Sequence, residues 1–135
     1  MLRIGLLASL IAISGAQAAT CYTVDNLAGH ASRRADGLKL DPDSFAGQSF
    51  QVSIDGRNSR VTAWDSPCAE VTADTVMCQR VDQAAGTISV EMWAIDQATR
   101  RVMVSRMRSG FGPYDGGALF VGRLAGRCQV FSKGN

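Results

Sequence analysis

The sequence is poor in the residues on which most enzyme sites depend. It has one histidine, His30, and only two glutamates, Glu70 and Glu91. A lone histidine cannot form a histidine metal cluster, and no serine lies in a G-x-S-x-G motif that would pair with it. Most aspartates fall at turn positions, where they have a structural role, so no carboxylate pair is set apart for glycosidase chemistry. We therefore expect a non-enzymatic protein without cofactor or metal.

The sequence also has little net charge and few lysines. Its formal net charge is +2, and it has no long run of like charge. Such a run would be expected of an arm that binds nucleic acid, so we expect no nucleic-acid partner. The longest apolar run, Ile4–Ile13, is too short to span a bilayer, and we expect no transmembrane segment in the mature chain.

The first eighteen residues have the three parts of a secretory signal peptide. Arg3 supplies the positive start, Ile4–Ile13 the apolar core, and Ala16-Gln17-Ala18 an A-x-A cleavage site. We predict a signal peptide over 1–18 and a single mature domain over 19–135. The preference for arginine, alanine and glycine is typical of a GC-rich bacterial genome, so the predicted location is periplasmic or secreted. A lipid anchor on Cys21 is the nearer alternative, although Thr20 and Ala18 are unusual at the positions before such a cysteine.

Four cysteines in an exported chain predict two disulfides. Because no C-x-x-C pair is present, a metal site is disfavoured. The segment between Cys68 and Cys78 can fold as a short hairpin, which favours a Cys68–Cys78 bridge. A Cys21–Cys128 bridge would then join the two ends of the domain. The pairing Cys21–Cys68 with Cys78–Cys128 remains open.

The segment Gly86–Met107 predicts a β-hairpin around which the rest of the chain is organised. It contains two runs rich in β-branched and aromatic residues, separated by a short polar segment. A turn centred on Gln97-Ala98 would place Ile95 opposite Arg100 and Trp93 opposite Val102. One face then carries the more uniformly apolar set, and we expect it to face the core: Val90, Met92, Ala94, Met103, Ser105 and Met107.

Further strands are predicted on both sides of this hairpin. Their expected positions are Cys21–Val24, Gln48–Asp55, Arg60–Asp65, Thr75–Val81, Ala118–Leu124 and Arg127–Phe131. The segment Asp25–Asp43 has little apolar periodicity and is interpreted as a loop, and Asp41–Gly47 as a single helical turn. Short consecutive strands predict an all-β fold, a small antiparallel up-and-down meander that closes into a β-barrel. A two-sheet β-sandwich is the alternative.

The other face of the hairpin suggests a contact surface for a partner. Arg100, Arg106 and Arg108 would share it with Trp93 and would lie in water. Tryptophan beside arginine is the composition of interface hot spots. A plain solvated strand face is the simpler interpretation of the arginines, and residues Phe111 to Tyr114 of the glycine-rich loop 109–117 could cover Trp93.

This loop carries a resemblance to a known family. Ser109-Gly110-Phe111-Gly112-Pro113-Tyr114, followed by a predicted strand, is similar to the loop running from Ser-Gly to Tyr in bacterial inhibitors of C-type lysozyme. Those proteins are small, exported, disulfide-tied β-barrels. Pro113 stands where the family usually has arginine, and the next strand lacks the family's Phe-Trp pair. The resemblance implies an inhibitor whose contact residues include Ser109 and Tyr114.

Two functions follow as expectations. The first is a non-enzymatic binding or inhibitor module of the bacterial cell envelope that acts on a protein or glycan. The second is a carrier that holds a small apolar ligand inside the barrel. The oligomeric state is not predicted by the sequence.

Overall fold

The computed structural model describes residues 18–62 and 66–130, so the predicted signal peptide lies outside the described residues except for Ala18. Its strands are β1 Thr20–Arg33, β2 Leu40–Ser44, β3 Ser49–Ile54, β4 Arg60–Val61, β5 Cys68–Thr72, β6 Thr75–Asp82, β7 Thr87–Asp96, β8 Arg101–Ser109 and β9 Gly116–Arg127. Three short 3₁₀ helices lie between them, at Arg34–Asp36, Gly56–Asn58 and Gly112–Tyr114.

The strands form one antiparallel sheet that curls into a nearly closed barrel. The order across the sheet is β4-β3-β1-β9-β8-β7-β6-β5, with β2 added beside β1. Neighbours in the sheet are mostly neighbours in sequence, and the exception is β1, which pairs with the last strand, β9. The predicted all-β meander and barrel are confirmed. The sandwich alternative is wrong, because all of these strands belong to one sheet.

Strand β1 is much longer than predicted, and the loop expected over Asp25–Asp43 is wrong. Through residue 33, β1 pairs with β9 on one side, and on the other side first with β3 and then with β2. Its inward positions include Gly29 and Ala31, whose small side chains conceal the alternation on which a strand prediction depends. A bulge at Asn26, which has a φ of 53°, shifts the register and breaks the alternation further.

Two other local predictions are corrected by backbone pairing. The helical turn expected at Asp41–Gly47 is largely strand β2, because Leu40–Ser44 pairs with the second half of β1. The break expected at Ala125-Gly126 is absent because β9 runs from Gly116 to Arg127, and residues 128–130 of the last predicted strand lie outside any strand. The predicted strand end at Phe131 lies outside the described residues.

The central hairpin is present, but its register differs from the prediction by two residues. Ile95 pairs with Val102, Trp93 with Val104 and Glu91 with Arg106. The loop is longer than expected because an Asp96 carboxylate oxygen accepts hydrogen bonds from the N–H groups of Ala98 and Thr99. A shift of two residues leaves each side chain on its predicted face, since the side-chain period of a strand is two.

The core assignment of the two faces is reversed. Trp93, Ile95, Val102 and Val104 are buried inside the barrel, whereas the three methionines expected in the core are exposed. The inner residues are bulky and β-branched or aromatic, and they fill the barrel together with inward residues of the other strands. Those strands add Tyr22, Val24, Phe50, Val52, Ile54, Val61, Val76, Phe120 and Leu124.

Both disulfides have the favoured pairing, Cys21–Cys128 and Cys68–Cys78. The first joins β1 to the end of β9, and the N–H of Cys128 also donates to the carbonyl of Cys21. The second lies across β5 and β6, where Cys68 and Cys78 are directly paired in the ladder.

Candidate functional site

The inward face of the hairpin holds a buried polar cluster in place of an exposed binding surface. Trp93 is 1% exposed, so the expectation that it lies in water is wrong. Its indole Nε1–H donates to Glu91 Oε1, and Arg106 Nε donates to Glu91 Oε2 at 2.8 Å. Glu91 is itself 2% exposed, so its carboxylate is shielded from water and needs partners inside the protein. These two donors compensate its charge. The Arg106 guanidinium also lies 5.7 Å from the centre of the Phe45 ring.

Arg108 follows Arg106 on the same inward face and is half-buried. Burial lowers the pKa of the Arg108 guanidinium, and the nearby charges of Arg106 and Arg33 lower it further, whereas Glu91 acts in the opposite direction. Arg106 and Arg108 thus belong to a polar end of the barrel interior. They do not form the solvated strip with Trp93 that the sequence suggested.

Arg100 has a structural role in the hairpin loop. It has a φ of 55°, the left-handed conformation that ends the loop between β7 and β8. Its guanidinium donates to the carbonyl of Leu124 at 3.3 Å, and its own carbonyl accepts from the N–H of Leu124. Arg100 therefore ties the loop to β9, away from the inner cluster.

The loop between β8 and β9 is ordered by Asp115, which is buried. Its Oδ1 accepts from the N–H of Phe111 at 2.6 Å, and its Oδ2 lies 3.2 Å from Arg34. Tyr114 is 69% exposed, and Ser109 is exposed at the end of β8. The two predicted contact residues are thus accessible, at the end of the barrel where the loop closes.

The outward face of the sheet carries the most distinctive surface in the described part of the chain. Three adjacent rows of side chains cross the sheet from β6 to β2 without a carboxylate, lysine or arginine, and we call them the uncharged outer face. The rows are Thr75-Ala94-Met103-Val121-Ala28-Ser44, Met77-Met92-Ser105-Leu119-His30-Pro42 and Gln79-Val90-Met107-Gly117-Ser32-Leu40. His30 is their one titratable residue.

Large apolar side chains on this face are open to solvent. Met103, Met107 and Leu119 are between 51% and 62% exposed, and Leu40 is 70% exposed. Soluble monomers seldom expose a contiguous apolar area of this kind, and such areas usually mark interaction sites. Methionine suits such a role because its flexible thioether adapts to different partner shapes.

One end of the uncharged outer face is hollowed into a groove of about 560 Å³. Its floor is formed by residues 116–118 of β9, where Gly117 has no side chain. Met107, Leu119, Leu38 and Leu40 supply its large apolar side chains, and His30 and Ser32 also line it. Because the walls are almost entirely apolar, the groove suits an inserted hydrocarbon or thioether side chain.

A charged row borders the face at the end nearest the hairpin loop. It reads Asp96-Arg101-Arg123-Asp25 across the sheet. Arg123 binds Asp25 through two hydrogen bonds of 2.9 and 2.7 Å. Hydrogen bonding to Arg123 lowers the pKa of the Asp25 carboxyl, and the two side chains compensate each other's charge at the edge of the apolar surface.

The structure therefore separates the predicted site residues into three places. Arg106 and Trp93 lie inside with Glu91, Arg100 lies at the hairpin loop, and Ser109 and Tyr114 lie at the loop end. The residues that the sequence interpretation missed as a surface were Met103, Met107 and Leu119. Their signal is the alternation Met-x-Ser-x-Met and Gly-x-Leu-x-Val; the first was predicted to face the core, and no face was predicted for the second.

Among residues 18–62 and 66–130, no helix is long and apolar enough to cross a membrane. No group of three or more histidine, cysteine or acidic residues there has the arrangement of a metal site. The chain matches no family model, no curated protein and no solved structure, and the likeness of the 109–114 loop to lysozyme inhibitors gains no support from these comparisons.

Proposed function

We propose that this protein is a non-enzymatic binding module of the bacterial cell envelope, and that a protein partner docks on the uncharged outer face. The observation that carries the proposal is the exposure of large apolar side chains in three rows without charge. Leaving such an area in water is unfavourable, because the full burial of one leucine or methionine side chain is worth about 1.5–3 kcal/mol and these are only about half covered. A partner that covers the face would recover part of that free energy.

The chemistry of the face favours a protein over a glycan. Sugars are usually held by aromatic platforms together with several polar groups that fix their hydroxyls. The three rows contain no aromatic side chain apart from His30, and methionine, leucine, valine and alanine outnumber their polar residues. An apolar protein surface, such as a strand or helix with exposed aliphatic side chains, complements these rows better.

The proposed location rests on the cysteines and on the predicted signal peptide. Both disulfides are compatible with a periplasmic or extracellular protein, because such bonds persist in oxidising compartments. A binding module there would act as an inhibitor or adaptor of an exported protein.

The carrier hypothesis is not favoured by the interior of the barrel. The rings of Phe45, Phe50, Trp93 and Phe120 occupy its centre, with neighbouring ring centroids 5.1 to 5.7 Å apart. An apolar ligand at that position would have to displace them. The apolar groove lies on the outside of the sheet, where a side chain of a partner could enter it.

The test is site-specific photo-cross-linking in the exporting host. The photoreactive residue replaces Leu119 in the uncharged outer face, and Val71 of β5 serves as the matched control. The two side chains are 51% and 53% exposed, so their accessibility is nearly equal and the comparison tests their location. We expect an adduct from position 119 that position 71 does not form, with its partner identified by mass spectrometry.

The identified partner is then purified and titrated with charged variants. Leu119→Glu should weaken binding by at least about tenfold, because a carboxylate would be buried in the contact without a counter-charge. Val71→Glu should bind as the unchanged protein does. Equal adducts at both positions, or equal affinities of the two variants, would remove the outer face as the docking surface.

A further inference from the structure

We infer that, in the isolated protein, the uncharged outer face is covered by a second copy of this chain in a two-fold symmetric dimer. The inference rests on the proposed function in one respect, since it assigns the first occupant of the same face. In the dimer, the uncharged outer face is shielded from water until another protein partner replaces the second copy on it.

The size of the face suits a stable dimer. Apolar side chains in the three rows and at their border are 38–70% exposed: Leu38, Leu40, Ile88, Met92, Met103, Met107, Leu119 and Val121. Together with the smaller residues between them they offer several hundred Å² of contact surface. A standard interface takes about 800 Å² from each partner, and homodimer interfaces are the more apolar ones.

The charge distribution permits the face to pack on itself. A surface that meets its own copy brings like charges together wherever it carries a net charge. The three rows carry none, and in the bordering row Asp25 and Arg123 already compensate each other. A second copy therefore meets no repulsion at the centre, and the charged row remains at the rim in water.

The relief of the face also complements itself. Large and small residues alternate along β8, where Met103 and Met107 flank Ser105, and the apolar groove lies over Gly117 of β9. Met103 is 52% exposed and projects two rows away from that groove. In a two-fold symmetric contact, a side chain of the first copy that enters the groove of the second is matched by the same side chain of the second copy entering the groove of the first. Met103 and the groove floored by Gly117 form such a pair.

The test is sedimentation velocity of the oxidised mature protein over a wide micromolar range. We expect the unchanged protein to sediment as a reversible dimer. Leu119→Glu and Met103→Glu should each raise the dimer dissociation constant by at least about tenfold, because each places an unpaired carboxylate in the contact. Val71→Glu, at a site of equal exposure, should leave the dissociation constant unchanged. Circular dichroism melting confirms that each variant is folded.

Two outcomes overturn the dimer. One is a monomer at all concentrations, and the other is an equal loss of association in Leu119→Glu and Val71→Glu. The proposed function fails separately. A monomer that still forms an adduct with another protein at position 119 refutes only the dimer. A dimer whose only adduct at position 119 is the self-cross-linked chain refutes only the heterologous partner.

Discussion

Glu91 and Arg106 lie directly opposite each other across the β7–β8 hairpin, and their ion pair is inside the barrel. The Glu91 side chain is 2% exposed and that of Arg106 is 21% exposed, so solvent screens the pair far less than a surface ion pair. Trp93 adds a third member through its indole N–H. The cluster therefore belongs to the stability of the fold, and it explains why a glutamate can occupy the core side of a strand.

The first prediction concerns the removal of one partner from this cluster. Glu91→Gln leaves Arg106 without its carboxylate, and we expect a loss of about 2–3 kcal/mol in the free energy of unfolding, since Arg106 is partly exposed. The double substitution Glu91→Leu with Arg106→Leu should recover only part of that loss, because the buried Trp93 indole N–H still loses its acceptor. Urea unfolding of the unchanged protein, Glu91→Leu, Arg106→Leu and the double variant completes the cycle, and Glu91→Gln is measured beside them. Equal losses in the single and double variants would show that the ion pair does not act as a unit.

The second prediction concerns Trp93, which the structure places in the core. Trp93→Ala should lower the free energy of unfolding by about 3–5 kcal/mol, because it leaves a cavity next to Phe50 and removes a donor to Glu91. Guanidinium chloride unfolding followed by circular dichroism gives the value. A loss below about 1 kcal/mol, as for an exposed residue, would contradict the buried position.

The third prediction concerns the close contact between Gly122 and Leu27. A Cβ atom at Gly122 would lie 2.7 Å from Leu27 Cδ2 and 2.9 Å from the carbonyl oxygen of Asp25. Gly122→Ala should therefore destabilise the barrel by about 1–3 kcal/mol. Gly126→Ala is the matched control on the same strand, since its Cβ meets no atom within 4 Å. The melting temperature of Gly122→Ala should be clearly the lower of the two. Similar values would show that β1 shifts at its bulge and accommodates the added methyl group.

The fourth prediction concerns the two disulfides, which close loops of very different length. Cys21 and Cys128 are 107 residues apart, and Cys68 and Cys78 are 10 apart. On the chain-entropy model, replacing the first pair by serine costs about 4–5 kcal/mol and replacing the second about 2–3 kcal/mol. Chemical unfolding of the two double variants measures this difference. The reverse order would indicate that native contacts outweigh loop entropy.

The fifth prediction is a loss of stability in acid through Asp25 and Asp96. Hydrogen bonds lower the pKa of both carboxyls in the folded protein, from Arg123 to Asp25 and from Thr99 to Asp96. Their contribution is present above the unfolded pKa, near 4, and is lost as the pH falls through the lower folded value. Between about pH 6 and pH 3, the melting temperature should fall further in the unchanged protein than in Asp25→Asn with Asp96→Asn. Parallel pH profiles would exclude this linkage.

Much of the fold follows from local sequence. The alternation in Gly86–Met107 assigned each side chain of the hairpin to the correct set, and a two-residue error in register left those sets intact. The cysteine count and the short spacing from Cys68 to Cys78 led to the favoured pairing. These features are local because the pleat and the short hairpin act within a few residues.

Only the tertiary structure decided which face of the hairpin is inside. A thioether face and a face with Trp93, valines and an ion pair are both plausible cores by composition. The choice depends on the volume left inside the barrel by Phe50 and Phe120, and on the donors that Trp93 and Arg106 offer to Glu91. The second half of β1 likewise forms because β9 and β2 pair with its backbone, although it lacks an alternation of large apolar side chains. The sequence by itself therefore determined which side chains of the hairpin share a face and which cysteines form disulfides. Packing inside the barrel determined which of the two faces is exposed to solvent.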